Sequence, residues 1–421
     1  MRTDEAIVST ISKGTGFLKR QQNDWKVTVG RTSIDRFLYQ MVFPYLSIYI
    51  VGLGATATRL GMINSIGMGI TGLLCPFNGW LMDRIGVKKI YLAGIILLVM
   101  AYLTYGLAQS WPIIIFAMIA YQAGATTSIH SCGVVCGKSL ANNDRATAMA
   151  FCESIAAGLL GIAGPMLGAF LVATLGGVNV SGIRPLFFIA FAGSLATFFL
   201  ILMKLSNSKG DFPDETRHNL LEGIARIFKR RKNLRRWVAI NSLNYLPYGM
   251  VLPFTQVFAH EVKGADQYVL GAMVSGFALT SLVLGVPLGR LADKIGRKKV
   301  LYLIAPIFWA SNLMLVWAPS PGFLIAAGTL QGIYWLSLPI AGAMSFELVP
   351  AKQMGAWLGT LGLFRMLIAA SAAYLGGAIW DGIGPQYIFL TIIAADALIR
   401  IPLLIGMPET LRSRLRTGWE E

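Results

Sequence analysis

The sequence predicts an all-α membrane protein of twelve transmembrane helices, built as two parallel six-helix repeats. Three observations predict it. The 421 residues are 55% apolar and 13% charged, with a mean hydropathy of +0.62, far richer in apolar side chains than a soluble domain that must cover its surface. Twelve stretches approach the roughly 20 predominantly apolar residues that a helix needs to cross a bilayer. The charged stretch "GWLMDRIGVKK", Gly79 to Lys89, recurs as "GRLADKIGRKK", Gly289 to Lys299.

The expected spans run 31–54, 60–82, 89–108, 111–136, 146–175 and 184–205, then 237–260, 267–290, 300–318, 321–346, 354–380 and 385–407. They divide the chain into a cytoplasmic N-terminal segment (1–30), a six-helix bundle (31–205), a linker (206–236), a second bundle (237–407) and a cytoplasmic tail (408–421). Residues 1–30 carry Asp4, Glu5, Lys13, Lys19, Arg20 and Asp24 without a continuous apolar core, so the first span is expected to act as its own insertion signal. In the linker, Leu220, Leu221, Ile224, Ile227 and Phe228 recur at helical spacing opposite Arg226, Lys229 and Lys232, the pattern of an amphipathic helix on a membrane surface. The bundles overlay at an offset of 209 or 210: Pro44 on Pro253, "LGMINS" on "LGAMVS", Gln122 on Gln331. Six spans per unit make the repeats run in the same direction.

Charge placement predicts orientation. Of the 36 Lys and Arg, only Arg59, Arg184 and Lys263 fall on the side reached by the odd-numbered connections, which puts both termini in the cytoplasm. The net charge of +16 then reflects basic helix ends such as "FKRRKNLRR" lying against anionic lipid, and no nucleic-acid partner is expected. The short outer loops suit a plasma (inner) membrane protein of a prokaryote.

The repeated pattern Gly-x-x-x-Asp-Arg-x-Gly-x-Lys-Lys, between spans two and three and in near copy between spans eight and nine, resembles the signature loop of the major facilitator superfamily. The resemblance covers nearly the whole chain. Gly79 and Gly289 would let a neighbouring helix approach, and Gly86 and Gly296 allow a tight reversal. Asp83 and Asp293 would face the positive N-terminus of a helix in the other half, while Arg84 also marks topology. The resemblance implies that these loops latch the cytoplasmic side and release when the carrier opens inward. It further implies pairing of Arg297 with Glu347; the first half has Val87 instead of the arginine, and the acid's place falls at Gly137 or Lys138.

Span five reads "GLLGIAGPMLGA", with Gly161, Gly164, Pro165 and Gly168. Small residues three or four apart give a face for close packing, and proline bends the helix. This is similar to the span-five motif of the family's proton-coupled antiporters; a kinked packing helix in a carrier of either direction is the other reading.

Ionisable groups within spans are costly and usually functional or paired. Asp35, Arg36 and Glu153 are expected as a proton-coupling cluster, with Glu153 favoured. Asp396 and Arg400, four apart with the acid first, suit a structural pair. Arg365 lacks an evident acid partner and would suit an anionic substrate group. The cavity-lining candidates are Tyr39, Gln40 and Tyr45; Gln122 and His130; Asn241, Asn244, Tyr245 and Tyr248; Gln331, Tyr334 and Trp335, a mixture that suits a small organic molecule.

"HSCGVVCG" places His130, Cys132 and Cys136 on one helix, with Met149 and Cys152 in the next, which opens the alternative of a soft-metal (copper-like) importer; a non-transporting membrane sensor is a further alternative. Nucleotide-binding and hydrolase motifs are lacking, so no enzyme activity and no cofactor are expected. The expected function is secondary transport by alternating access, as a proton-coupled exporter of a small organic solute that works as a monomer among membrane lipids.

Overall fold

The computed structural model describes residues 22–139, 160–206, 232–348 and 354–409, and among these no strand occurs. The first repeat contains α1 (Asn23–Gly52), α2 (Ala57–Ile85), α3 (Val87–Leu107), α4 (Trp111–Ser139), α5 (Leu160–Thr174) and α6 (Val180–Lys204). The second contains α7 (Lys232–Leu243), α8 (Leu246–Met250), α9 (Leu252–Val257), α10 (Gln267–Ile295), α11 (Arg297–Val316), α12 (Pro321–Trp335), α13 (Ser337–Glu347), α14 (Met354–Gly382), α15 (Gln386–Ala395) and α16 (Ile401–Ile405). Among the described residues, eight helices are long and apolar enough to cross a membrane by length and composition. Phe116, Met203 and Leu398 stand 72%, 77% and 75% exposed on the outside, where hydrocarbon would accept them while the helical backbone satisfies itself.

Two expected spans are interrupted and a third is locally widened. Span seven is divided into α7, α8, α9 and a π-helical turn over Phe258–Val262. Pro247 and Pro253 lack the N–H that would bond back to Leu243 and Gly249, and each opens a new short helix. Span ten breaks at Leu336, one turn before Pro339. Span twelve stays continuous but widens into a π-turn at Asp396–Arg400. Helix α1 begins at Asn23, eight residues before the expected span, with Trp25 already buried.

The halves meet along two pairs of helices, α2 with α14 and α5 with α10. A side chain at Gly61 or Gly377 would fall on the facing backbone of Ala373 or Ala57, so these glycines set how closely α2 and α14 approach. Among the described residues, four hydrogen bonds join the halves away from the motif loops. Tyr45 Oη donates to Gln267 O (2.9 Å), Ser275 Oγ to Ile162 O (2.9 Å), Thr58 Oγ1 to Gly377 O (3.2 Å) and Thr58 N to Asp381 Oδ2 (2.8 Å). At the motif end the picture differs: a Cβ at Gly289 would meet open space, and Phe77 is 58% exposed. The hydrogen bonds between the halves thus gather toward the Thr58 end, while nearer the motif loops α2 and α14 still touch, Cys75 lying 3.6 Å from where a Cβ at Gly362 would stand.

Candidate functional site

The two motif loops share one backbone solution. Gly86 and Gly296 have φ of 97° and 106°, a region in which a side chain is strained, and each simultaneously ends one helix and begins the next. Two residues after each glycine a lysine reaches to the last helix of its own half: Lys88 Nζ donates to Leu205 O (2.6 Å), and Lys298 Nζ to Ile405 O (2.8 Å) and Met407 O (2.7 Å). In the second loop Glu409 accepts from the backbone N–H groups of Arg297 (3.2 Å) and Lys298 (3.1 Å). Asp293, 68% exposed, lies 3.8 Å from Arg297 one turn on, and Gly289, expected to receive a close neighbour, has none in this conformation. Arg84 is exposed. The side chains of Gly79, Asp83 and Glu347 fall outside the described structure.

Helix α5 packs its small face on α1. A side chain at Gly164 or Gly168 would strike the backbone of Phe37 or Met41, and one at Gly161 would press on Ala278 of α10. The carbonyl of Pro165 faces Gly271 of α10. The glycine- and proline-bearing helix is thus wedged between the halves.

The ionisable set separates. Asp35 pairs with Arg31 (3.6 Å), whose side chain is 2% exposed and lies over the Tyr91 ring at 5.2 Å. Arg31 is the partner that the four-residue spacing offers; Arg36, expected in one cluster with Asp35, is one residue further and so about 100° around the helix, because only positions three or four apart share a face. It comes within electrostatic reach of Tyr39 in its own half and of Tyr248 in the other. Glu153 lies outside the described residues, as do Met149 and Cys152. Asp396 and Arg400 pair as expected, almost wholly buried, with Trp309 Nε1 donating to Asp396 at 2.8 Å.

Arg365 projects from the middle of α14, its Nε donating to Asn241 Oδ1 and its guanidinium over the Tyr245 ring at 5.2 Å. Across the interface it acts electrostatically on Cys75 of α2. Aromatic rings extend from this point: Tyr245 to Tyr248 (6.1 Å), Tyr248 to Trp335 (5.6 Å), and Tyr39 to Tyr121 (6.0 Å) on the other half.

Other cavity candidates are used in packing. Gln122 Oε1 accepts from Thr71 (3.3 Å), His130 Nδ1 meets Asn78 (3.2 Å), and Asn244 accepts from the Tyr334 hydroxyl at 3.1 Å. Gln40 sits under Gly161 and Gly164, and Gln331 is 8% exposed. Cys132 faces Thr32 at 3.4 Å, and among the described residues no three His, Cys, Asp or Glu converge on a metal-sized space.

Sequence reading missed three links because their partners are far apart in the chain: Asp381 with Thr58, the lysine ties at 88 and 298, and Asp24 accepting from Ser206 N at 3.0 Å. Only the position of Lys88 and Lys298 within a repeated motif hinted at a shared task.

Similarity to known proteins agrees with this geometry. The multidrug resistance protein MdtG of Proteus mirabilis is 22% identical over 356 residues, 77% of this chain and 85% of that protein. MdtG of Escherichia coli O9:H4 is 26% identical over 326 residues, 75% of each chain. Among solved structures, a variant of the nucleoside transporter NupG superposes with a TM-score of 0.77 at 13% identity, covering 91% of this chain and 99% of that one. A POT family transporter in complex with a thioalcohol-conjugated peptide superposes with a TM-score of 0.70 at 14% identity, covering 90% and 94%. The sequence profile of the Major Facilitator Superfamily matches residues 32–269 and again 237–417, and this chain is a membrane transporter belonging to that superfamily.

Proposed function

We propose that the protein exports small organic solutes across a prokaryotic inner membrane in exchange for protons, with both termini and the motif loops in the cytoplasm. The observation that carries this reading is the hydrogen bonding between the halves toward the Thr58 end, through Thr58, Tyr45 and Ser275, which suits a carrier held shut on the side away from the motif loops. Export is further supported by relatives named as multidrug resistance proteins, and by a glycine- and proline-bearing α5 wedged between α1 and α10. The soft-metal and sensor alternatives gain no support.

The contacts suit alternating access. The Asp381–Thr58 bond and the fit of α2 on α14 hold the outer side shut while solute enters between Arg365 and the tyrosines. Opening outward breaks those bonds and brings the motif loops together, where Asp83 and Asp293 would meet helix N-termini and Arg297 would reach Glu347. Proton binding at Asp35 or Glu153 selects between the two arrangements. In cells stripped of their main efflux pumps, expression should lower the accumulation of at least one dye or antibiotic from a broad panel, and a protonophore should restore it. Accumulation that rises on expression, or export indifferent to the protonophore, contradicts this reading.

A further inference from the structure

We propose that the solute carries a negative charge beside an apolar or aromatic body, and that Arg365 of α14 and Arg36 of α1 hold the charged group between the halves. The inference rests on the transport reading above and assigns the class of substrate.

Arg365 is contributed by the second half and Arg36 by the first, and both are only partly covered. Among the described residues neither has a carboxylate partner. The nearest acid in sequence, Asp35, is taken by Arg31 at 3.6 Å, and the remaining ion pairs, Asp293 with Arg297 and Asp396 with Arg400, lie elsewhere. Arg365 has only neutral neighbours, the Asn241 amide and the Tyr245 ring. A guanidinium in a membrane interior without a counter-ion is expensive, and that cost falls when an anion arrives. Carboxylate, sulfonate and phosphonate groups match the planar fork in two parallel hydrogen bonds, which a compact ammonium could not reproduce.

The surroundings define the rest of the molecule. From Arg365 a series of rings runs through Tyr245 and Tyr248 to Trp335, and Tyr248 is within reach of Arg36 and Tyr39. An aromatic body laid along these rings would bring its charged end to either arginine. Among the described residues Arg365 is bonded to Asn241, whereas Arg36 has no such bond. A solute's charged group would engage the positioned cation on α14 and then the one on α1, drawing the halves toward each other.

The test is equilibrium binding of three probes with one ring system, measured by calorimetry on the full chain in nanodiscs: 2-naphthoate, 2-naphthamide and 2-naphthylmethylammonium. The carboxylate should bind at least about tenfold more tightly than the amide, about 1.4 kcal/mol, and the ammonium most weakly. Arg365→Gln should abolish the preference for the carboxylate while leaving amide binding within about twofold, Arg365→Lys should keep part of it, and Arg36→Gln should weaken it. Tightest binding of the ammonium, equal weakening of all three probes in Arg365→Gln, or no binding of any probe overturns the proposal. These outcomes leave export itself standing. Loss of the accumulation effect with carboxylate binding intact would instead overturn export and leave the substrate class in place.

Discussion

Asp381 and Thr58, 323 residues apart in the chain, are joined across the two halves by a 2.8 Å hydrogen bond from the Thr58 backbone N–H to the Asp381 carboxylate. Thr58 lies in the first turn of α2, where backbone N–H groups lack partners within the helix, so the last turn of α14 caps a helix of the opposite repeat. In the proposed outward-open form, Asp83 in the last turn of α2 would face the start of α14, at the other ends of the same two helices. The proposed rocking motion would then exchange one aspartate cap for another. Removing the charge-assisted bond should favour the outward-open form by about 1–3 kcal/mol. Spin labels at Gln109 and Ser320, exposed at the closed end of each half, should report a longer mean distance in Asp381→Ala than in the parent. An unchanged distance distribution would show that the bond does not hold the closed state.

Lys88 and Lys298 are the motif's other use. Each ties its loop to the carbonyls at the end of its own half's last helix, one bond for Lys88 and two for Lys298. Those carbonyls have no partner within their helix, and a cation there also meets the negative end of the dipole. Replacement by methionine keeps the aliphatic stem and removes the ammonium. Each variant should lose about 1–2 kcal/mol of stability, with the larger loss in Lys298→Met, seen as an earlier thermal unfolding midpoint in detergent. Equal midpoints in parent and variants would reduce both lysines to topology markers.

The fold was legible because apolar runs and the repeated loop are local in sequence. Gly86 and Gly296 were recognisable as turn glycines for the same reason, and both adopt positive φ. The breaks at Pro247 and Leu336 were hidden inside runs whose apolarity alone satisfied the length of a span. The site was less legible. Arg36 and Asp35 are neighbours in sequence but point to different faces, so adjacency suggested a cluster where the helix makes two separate groups. Gln122, Asn244 and His130 looked like pocket residues, yet each bonds to another helix, because a polar side chain in a membrane bundle serves packing as readily as binding. Asp381 carried no local signal, since its partner lies on the other repeat.

Asp396 and Arg400 illustrate a buried pair that should be replaceable only as a unit. Their side chains are 4% and 3% exposed, Trp309 donates to the acid, and Arg400 lies over the Tyr334 ring at 5.9 Å. Removing one partner leaves a buried charge uncompensated, at about 3–5 kcal/mol. Asp396→Leu should therefore reduce the yield of folded protein sharply, while Asp396→Leu with Arg400→Met should recover most of it and transport at near the parent rate. A double variant no more stable than the single one would mean that the pair itself specifies the packing of α11, α12 and α15.

The coupling proton should be separable from solute binding. Asp35 is half-buried and lies 3.6 Å from the buried Arg31, so removing its charge alone leaves that guanidinium without its partner. Glu153 has no arginine at the equivalent spacing in sequence, and it is the acid favoured to carry the proton. Glu153→Gln in proteoliposomes should retain exchange of labelled solute across the membrane while losing accumulation driven by a pH gradient. Asp35→Asn will also strand the Arg31 charge, so the informative variant is Asp35→Asn with Arg31→Met, which removes both charges together. If the Glu153→Gln protein still accumulates solute with the parent's pH dependence and the double variant does not, the proton belongs to Asp35. If both variants accumulate normally, neither acid couples transport to protons and the driving ion must be sought elsewhere.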